Sequence, residues 1–414
     1  MALALGARVP AGRRLAASLI GRRHAQVTSE AVSSRERWPL GTAACLTGHT
    51  APLRRWQSSS SASDPGRGVE PKLNLERVTS ADLDAWARGP SVLGHVHSRP
   101  SFEPYALSTL REMGSGLTLP ESWAVRLLSA TGMKSSSGSP NQDSFSYTLL
   151  ESGWMVCIAC DGHGEAGEVV SQRATRMLPL FYSLALQKES PDKALRTAFL
   201  EAQLDLERCF SKAQENSGAT VAACIFHLEK GEAWVAHAGD SRVVVGDIAT
   251  GLPVFQTDEH KAHDPGEAVR LAEFGAQVIV KKYEDGELVS RVFVPKTGAP
   301  GLAMSRSLGD GCLKKYGVTA DPEIEDISGL WRSCEAPILV LASDGLWDTI
   351  SVEETVTALT ARSRSGLDVQ LGAEALLRRS QRLWIEAESD YCDDVTVLLM
   401  APHQSLVSRK PEPR

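Results

Sequence analysis

Aspartates stand at the ends of several apolar segments of the sequence. Asp161, Asp240 and Asp344 each closely follow a short apolar run, whereas Asp143 and Asp393 come shortly before one. Carboxylates at strand ends can meet at one edge of a β-sandwich. Their oxygens would there form the cluster of hard ligands that Mg²⁺ or Mn²⁺ prefers. The pattern therefore indicates a divalent metal site.

The elements that must position these acids follow from hydrophobic periodicity. Ser190-Pro191-Asp192 combines a capping residue, a first-turn proline and an acid, and so predicts the start of a helix. Two more helices are predicted over residues 165–187 and 367–389, and Thr79-Ser80-Ala81-Asp82 predicts a short capped helix through Trp86. Strands are predicted over residues 123–128, 145–150, 154–160, 219–227, 233–238, 242–246, 277–281, 288–294, 337–342 and 395–400. Strands in runs with helices between the runs predict an α+β domain with largely antiparallel sheets.

The predicted acids lie in a series of short motifs: Asn141-Gln-Asp, Asp161-Gly-His-Gly, Ser217-Gly-Ala-Thr, Gly239-Asp-Ser-Arg, Asp258-Glu-His-Lys with Glu267 and Arg270, the segment from Leu302 to Asp310, the segment from Ala342 to Asp348, and Asp393-Asp-Val-Thr-Val. In this order the motifs resemble those of the metal-dependent protein phosphatases of the PPM family, also called type 2C. The resemblance implies a four-layer αββα sandwich, in which two antiparallel β-sheets face each other between outer helices.

The resemblance also implies a site with two Mg²⁺ or Mn²⁺ ions bridged by a water, and a weaker third ion. The implied metal ligands are Asp161, the carbonyl of Gly162, Gln142, Asp344 and Asp393, with Asp240 and Asp348 at the third ion. The implied catalytic residues are Asp161, Asp143, which orients water, and His163, which protonates the leaving oxygen. The implied reaction is hydrolysis of phosphoserine and phosphothreonine in proteins by in-line attack of the activated water.

Two positions differ from the best-known members of that family. Gln142 stands where many members have a glutamate ligand. An amide oxygen coordinates without a formal charge, so that ion is expected to bind more weakly. The usual phosphate-binding arginine is missing upstream, and Lys134 is the predicted substitute, as a point charge rather than a bidentate fork. Arg306 is the second predicted substrate contact, and the segment His260–His263 is predicted to be structural.

Composition limits the classes of function. The chain has 414 residues, a formal net charge of −7 and 42% hydrophobic residues, which is typical of a globular protein. The acidic balance argues against a nucleic-acid partner, and no apolar run is long enough for a membrane-spanning helix. The eight cysteines are scattered and are predicted to be reduced. Cys157 and Cys160 lie on a predicted strand, where residues three apart face opposite sides, so they are not expected to form a zinc or redox pair.

The two ends of the chain differ from its middle. Residues 1–63 are rich in Arg, Ala, Leu and Ser and contain no Lys and only two acids. This composition is typical of a disordered organellar transit peptide and predicts import into the mitochondrial matrix; without that address the protein would be cytoplasmic. Residues 64–120 are predicted to be a linker or N-terminal extension, 121–402 the phosphatase domain and 403–414 a polar tail. We expect a monomer.

Three hypotheses for the function remain at this stage. The first is an active Ser/Thr phosphoprotein phosphatase. The second is a catalytically impaired pseudophosphatase that acts as a binding or scaffold protein, which Gln142 and the missing arginine would support. The third is a metal-dependent nuclease, which would require a basic substrate face that the acidic region after residue 63 does not supply.

Overall fold

The structure is a computed structural model that describes residues 75–97, 107–109, 123–134, 139–283, 286, 288–298, 300–363 and 369–402. The predicted transit peptide over residues 1–63 and the predicted tail over residues 403–414 lie outside the described residues. None of the described helices is long and apolar enough to cross a membrane.

Eighteen strands are described, and they fall into four sheets. In chain order they are β1 (Val92–His97), β2 (Leu107–Thr109), β3 (Trp123–Ala130), β4 (Ser144–Leu150), β5 (Trp154–Cys160), β6 (Gly162–Gly164), β7 (Ser217–Ala219), β8 (Val221–His227), β9 (Glu232–Ala238), β10 (Arg242–Asp247), β11 (Leu252–Gln256), β12 (Gln277–Lys282), β13 (Leu288–Phe293), β14 (Gly301–Leu302), β15 (Leu308–Gly309), β16 (Glu323–Asp326), β17 (Pro337–Ala342) and β18 (Val395–Pro402).

Nine helices are described in the same part of the chain. They are α1 (Ser80–Ala87), α2 (Gly167–Leu186), α3 (Pro191–Cys209), α4 (Pro265–Glu273), α5 (Gly311–Lys314), α6 (Ser328–Ser333), α7 (Asp344–Trp347), α8 (Val352–Ser363) and α9 (Val369–Glu388). The predicted helices are confirmed to within two residues at each end. Thr79 caps α1 in a capping box with Asp82, as the sequence predicts.

The strands form two six-stranded antiparallel sheets. Sheet I has the order β1-β4-β5-β8-β9-β16, and sheet II has the order β11-β10-β17-β18-β3-β2. Helices α2 and α3 pack together on the sheet I side, and α8 and α9 cover sheet II. The predicted four-layer αββα sandwich of antiparallel sheets is therefore confirmed.

The main hydrophobic core lies between the two sheets. Sheet I contributes alternate residues such as Phe145 and Phe226, and sheet II contributes residues such as Leu341 and Leu398. The intervening residues of sheet II form a second core with α8 and α9. Because both faces of its central strands are buried, these strands appear in the sequence as continuous apolar runs rather than as an alternating pattern. Cys157 belongs to the core between the sheets, and Cys160 does not.

The folded part of the chain begins before residue 121. Val92–His97 is an edge strand of sheet I that pairs with β4, and α1 packs near it. The linker assignment for residues 64–120 is therefore wrong where it covers this strand. The buried residues of β1 alternate with exposed or half-buried ones, a period of two that the proline-rich surroundings obscured.

Two small sheets lie outside the large ones. β12, β13 and β14 form an antiparallel sheet beside α4, whose core includes Leu271 and Val292. β6, β7 and β15 form the other, and two pairs of residues join β15 to β7: Leu308 with Ala219, and Gly309 with Gly218. This second small sheet directly continues the segment that carries Asp161.

Phe226 provides a test of the core between the sheets. Its ring lies 4.8 Å from that of Trp331, and its side chain is buried. Phe226→Ala should lower the free energy of unfolding by about 3–5 kcal/mol because it leaves a cavity between two sheets that cannot close. Phe274→Ala, at a position that is 56% exposed, is the matched control and should cost less than about 1 kcal/mol. Urea unfolding measures both, and equal losses would contradict this assignment of the core.

Candidate functional site

Strand pairing brings the predicted acidic residues to one edge of the sandwich. β4 begins beside the end of β5, with Ser144 paired to Cys160, and β18 begins beside the end of β17. β10 also begins beside the end of β17, and β8 begins beside the end of β9. Antiparallel neighbours alternate in direction, so the loops that carry the predicted ligands meet at this edge.

Asp161 and Asp344 meet at this edge although one follows a strand of sheet I and the other a strand of sheet II. Their carboxyl groups share a hydrogen bond. Burial raises the pKa of both groups well above the usual value, and the neighbouring carboxylates, including Asp393, raise it further. The Oδ1 atom of Asp344 is buried and has no hydrogen-bond partner. The structure thus brings together the three residues that the resemblance makes central ligands.

Asp143 lies next to these carboxylates. Its Oδ2 accepts a hydrogen bond from the Ser343 hydroxyl at 2.7 Å, whereas its Oδ1 is buried without a partner. Burial, followed by the charge of Asp394, raises the pKa of Asp143 to about 7. One oxygen is therefore fixed by the protein and the other is free, which suits the predicted role of orienting water.

Asp394 ties the surrounding loops together. Its Oδ1 accepts the backbone N–H of Gly132 at 2.7 Å, and its Oδ2 accepts the backbone N–H of Gln142 at 2.9 Å. Lys134 Nζ also donates to Oδ2, at 2.8 Å. Asp394 belongs to the motif Asp393-Asp-Val-Thr-Val, and the sequence alone predicts no role for it. Its function in the fold is to hold the segment before β4 against the segment before β18.

Lys134 lies inside the acidic cluster. Its Nζ is 3.2 Å from Asp393 Oδ1 and 2.8 Å from Asp394 Oδ2. Burial alone would lower the pKa of this ammonium, but the two carboxylates outweigh burial and raise it. The side chain is therefore a lasting positive charge beside predicted metal ligands. Its predicted contact with substrate phosphate stays a prediction.

A second lysine also binds carboxylates of the acidic cluster. Lys261 Nζ lies 2.6 Å from Asp240 Oδ2 and 3.0 Å from Glu259 Oε2. Burial would raise the pKa of Asp240, but attraction to Lys261 outweighs it and lowers that pKa. Asp348, in contrast, has its pKa raised to about 7 by burial and the charge of Asp240. Lys261 thus pairs with a predicted ligand, and the prediction that the segment His260–His263 is structural stays a prediction.

Gly162 and Gln142 lie against each other at the end of β5. A Cβ atom on Gly162 would be 2.4 Å from the Gly167 carbonyl oxygen and 2.5 Å from that of Gln142, so a larger residue does not fit. The side-chain Nε2 of Gln142 donates to the Gly164 carbonyl at 2.8 Å and to Glu168 Oε2 at 3.3 Å. The Oε1 atom of Gln142 is thus the atom of this side chain that is left to bind a cation.

His163 follows Gly162 on β6 and pairs with a buried acid. Its Nε2 lies 2.8 Å from Asp310 Oδ2. Burial alone would lower the pKa of His163, but the charge of Asp310 and this hydrogen bond outweigh burial and raise it. A raised pKa favours the protonated ring, which is the form a general acid needs. Asp310 is the last residue of the motif from Leu302 to Asp310, and the sequence alone predicts no role for it.

Arg306 has a different environment from the one predicted. Its guanidinium binds Glu267, with Nη2 at 2.7 Å from Oε1, and also donates to the Asp321 carbonyl at 3.2 Å. Arg270 and the Ser305 hydroxyl bind the same carboxylate. These contacts give Arg306 a structural role in place of the predicted substrate contact, because its donors are directed at the protein itself.

Among the residues that the structure describes, one other cluster has the composition of a metal site. Ligand atoms of His237, His260 and Glu323 lie within 4.8 Å of one another. The backbone N–H of Gly239, however, donates to Nδ1 of His260, so Nε2 carries the proton in the neutral ring and faces Glu323 Oε2 at 3.3 Å. Burial lowers the pKa of His260 to about 3 and that of His237 to about 4. We interpret His237 and His260 as neutral imidazoles, with His260 hydrogen-bonded to Glu323.

The acidic edge, in contrast, fits divalent cations. Three buried carboxylate oxygens have no hydrogen-bond partner: Oδ1 of Asp143, of Asp240 and of Asp344. Buried carboxylates this close resist ionisation unless a positive charge compensates them. Clustered carboxylate oxygens are the ligands that Mg²⁺ and Mn²⁺ prefer. The donor set therefore matches the ions that the sequence predicts.

Comparison of the sequence with known proteins gives a consistent result. The family profile described as protein phosphatase 2C matches residues 134–383. A rice (Oryza sativa subsp. japonica) protein named "Probable protein phosphatase 2C 64" is 33% identical over 262 residues, which is 59% of this chain and 58% of that protein. A second rice protein, "Probable protein phosphatase 2C 12", is 30% identical over 365 residues, or 74% of this chain and 89% of that protein. "Probable protein phosphatase 1N" of Mus musculus is 31% identical over 55% of this chain and 54% of its own length.

Solved structures show the same fold. A serine-threonine phosphatase 2C from Toxoplasma gondii superposes with a TM-score of 0.55 at 18% identity and covers 69% of this chain and 96% of its own. A sex-determining protein from C. elegans superposes with a TM-score of 0.54 at 21% identity over 69% of this chain and 67% of its own. At these identities the likeness establishes the fold alone.

The environment of Arg306 leads to a prediction about stability. Burial would raise the pKa of Glu267, but the hydrogen bonds from Arg270, Arg306 and Ser305 outweigh it and lower that pKa. Glu267→Gln should cost about 3 kcal/mol at pH 7, because two half-buried guanidinium groups lose their counter-charge. The pKa is lower in the folded state, so this stabilisation is complete above about pH 5 and decreases as the pH falls below that.

Urea unfolding at pH 7 and pH 4 measures the effect. Glu354→Gln is the matched control, because Glu354 pairs with Arg379 at the surface and its side chain is 54% exposed. That change should cost less than about 1 kcal/mol. Equal losses in the two variants would contradict a structural role for the cluster around Glu267.

Proposed function

Because the chain belongs to the protein phosphatase 2C family, we propose that it is an active Mg²⁺- or Mn²⁺-dependent phosphatase acting on phosphoserine and phosphothreonine in proteins. The match covers 58% of the rice relative "Probable protein phosphatase 2C 64", so the proposal concerns the activity of the domain that the two chains share.

The observation that supports activity most directly is the set of buried carboxylate oxygens without partners at the acidic edge. Each unpaired buried polar atom lowers the stability of the fold. A protein without catalytic activity would be more stable if these carboxylates were replaced, so their presence favours an active enzyme. The edge also carries His163, whose ring is bound to an acid and is 25% exposed. Ligand atoms and a proton donor thus remain together.

The proposed ligands of two ions are Asp161, the carbonyl of Gly162, Asp344 and Asp393, with Oε1 of Gln142 as a neutral ligand. Divalent cations bound there would neutralise the phosphate and lower the pKa of a water nucleophile toward neutrality. Asp143, with one free oxygen, is placed to orient water.

The two lysines modify this site. Lys134 next to Asp393 and Lys261 next to Asp240 each neutralise part of the charge that would attract cations. We expect a third ion at Asp240 and Asp348 to be the weakest, since it must compete with an ammonium already bound there. Gln142 lowers the charge of the ligand set further. The proposed enzyme should therefore need higher metal concentrations than one whose ligands are all acidic.

His163 supplies the proton that the leaving oxygen requires. A serine or threonine alkoxide is a poor leaving group, so its departure is fast only when it is protonated as the P–O bond breaks. The imidazolium of His163 can donate that proton. The chain itself would form no covalent phosphoenzyme, since water is the nucleophile in this scheme.

The activity can be measured with the whole chain. Hydrolysis of a phosphoserine peptide and of para-nitrophenyl phosphate should require Mn²⁺ or Mg²⁺ and stop in EDTA. Asp161→Asn and Asp344→Asn should each lower kcat/KM at least a hundredfold, because each removes a charge from the metal ligands. Calorimetric titration with Mn²⁺ counts the ions bound to each variant.

Asp84→Asn is the matched control. Asp84 forms a surface pair with Arg176 and its side chain is 53% exposed, so this variant should retain wild-type activity. If the wild-type protein binds Mn²⁺ but hydrolyses neither substrate, the proposed function is wrong and the pseudophosphatase hypothesis replaces it. If hydrolysis persists in EDTA, the metal-dependent scheme is wrong.

We also propose that residues 1–63 direct the protein to the mitochondrial matrix. The arginine-rich and acid-poor composition supports this proposal. Residues 1–63 fused to a fluorescent protein should accumulate in mitochondria, and the same fusion with its arginines changed to glutamine should not. A diffuse cytosolic signal from the unchanged fusion would contradict the proposal.

A further inference from the structure

Asp310 adopts an uncommon backbone conformation. Its φ of 51° lies in the left-handed region, which aspartate and asparagine adopt more readily than most other residues with a side chain. Its backbone N–H donates to the Ser217 carbonyl at 2.9 Å, and its side chain is 4% exposed. Strained residues of this kind persist where the structure fixes them for a function.

The carboxylate of Asp310 is bound from two sides. Its Oδ2 lies 2.8 Å from Nε2 of His163, and the Ser307 hydroxyl donates to the same oxygen at 2.5 Å. Lys314 Nζ donates to the Ser307 carbonyl at 2.6 Å. The Ser307 hydroxyl therefore holds the carboxylate independently of His163, so the imidazole meets an acceptor whose orientation a second group also fixes.

Gly218 makes room for this contact. A Cβ atom on Gly218 would lie 2.2 Å from Asp310 Oδ2 and 2.6 Å from His163 Nε2. Gly218 pairs with His163 on one side and with Gly309 on the other, in the small sheet of β6, β7 and β15. This sheet brings the histidine and the acid together across a residue that has no side chain.

We propose that Asp310 is a positioning residue for proton transfer, an inference that rests on the proposed function. The carboxylate accepts the Nε2–H of His163, so Nδ1 is the nitrogen that exchanges its proton with substrate. In the reaction the Nδ1–H bond breaks and an O–H bond forms on the serine or threonine oxygen. The ester P–O bond breaks with its electron pair on that oxygen, while the oxygen of the attacking water bonds to phosphorus and that water gives up a proton to solvent. The neutral ring then regains a proton from water.

The kinetic test compares two leaving groups. Asp310→Asn should lower kcat for a phosphoserine peptide about tenfold to a hundredfold, with KM little changed, because that alkoxide needs the proton. It should change kcat for para-nitrophenyl phosphate less than threefold, because nitrophenolate leaves unprotonated. Asparagine has the same shape as aspartate and tolerates left-handed backbone, so the variant should fold. The control variant Asp84→Asn should leave kcat unchanged for both substrates.

A double variant separates positioning from a general structural role. If Asp310 acts through His163, the double variant His163→Gln with Asp310→Asn should be no slower on the peptide than His163→Gln alone. Losses that multiply in the double variant would overturn the proposal. So would equal losses on the peptide and on para-nitrophenyl phosphate in Asp310→Asn.

A spectroscopic measurement tests the contact without activity. In protein labelled with ¹⁵N-histidine, the neutral ring of His163 should show a protonated Nε2 and an unprotonated Nδ1, and this preference should weaken in Asp310→Asn. His163→Gln assigns the signal. A neutral ring with its proton on Nδ1 in the wild-type protein would overturn the proposal even if the protein hydrolyses phosphopeptides. If the wild-type protein shows the predicted tautomer but has no phosphatase activity, the proposed function is wrong. The contact between His163 and Asp310 would still be supported.

Discussion

Buried carboxylates crowd together at one edge of the sandwich, and the rest of the fold must offset their mutual repulsion. Burial and neighbouring carboxylates raise the pKa values of Asp161 and Asp344 well above the usual value, and those of Asp143 and Asp348 to about 7. Such a cluster lowers stability unless cations compensate it. The protein therefore keeps at its site an unfavourable arrangement that bound divalent ions would relieve, and its core must supply the stability that the site lacks.

The two sheets make that arrangement possible. Asp161 leaves a strand of sheet I and Asp344 leaves a strand of sheet II, so the distance between the carboxylates is set by how the two sheets pack. Residues such as Phe226 and Leu341 fill the space between the sheets and fix their separation. The core therefore also keeps the carboxylates of Asp161 and Asp344 close together, although their mutual repulsion would move them apart.

Positive charges of the chain itself adjust the site. Lys134 binds Asp393 and Lys261 binds Asp240, both within the acidic cluster. Each lysine reduces the repulsion that the cluster has without ions, and each also competes with those ions. The balance between stability without metal and affinity for metal is therefore set partly by two side chains that are not metal ligands.

The helices, most strands, the fold class and the acids of the edge can be predicted from the amino-acid sequence, because periodicity and residue type are local properties of the chain. The sequence does not show that β1 joins sheet I, since an edge strand carries a weak pattern. The partners of each side chain follow from the packing of the folded chain. Arg306 binds Glu267 rather than facing the site, and Asp310 binds His163 although 147 positions separate them. Such contacts depend on how sheets and loops pack in space, and spacing along the chain does not encode them.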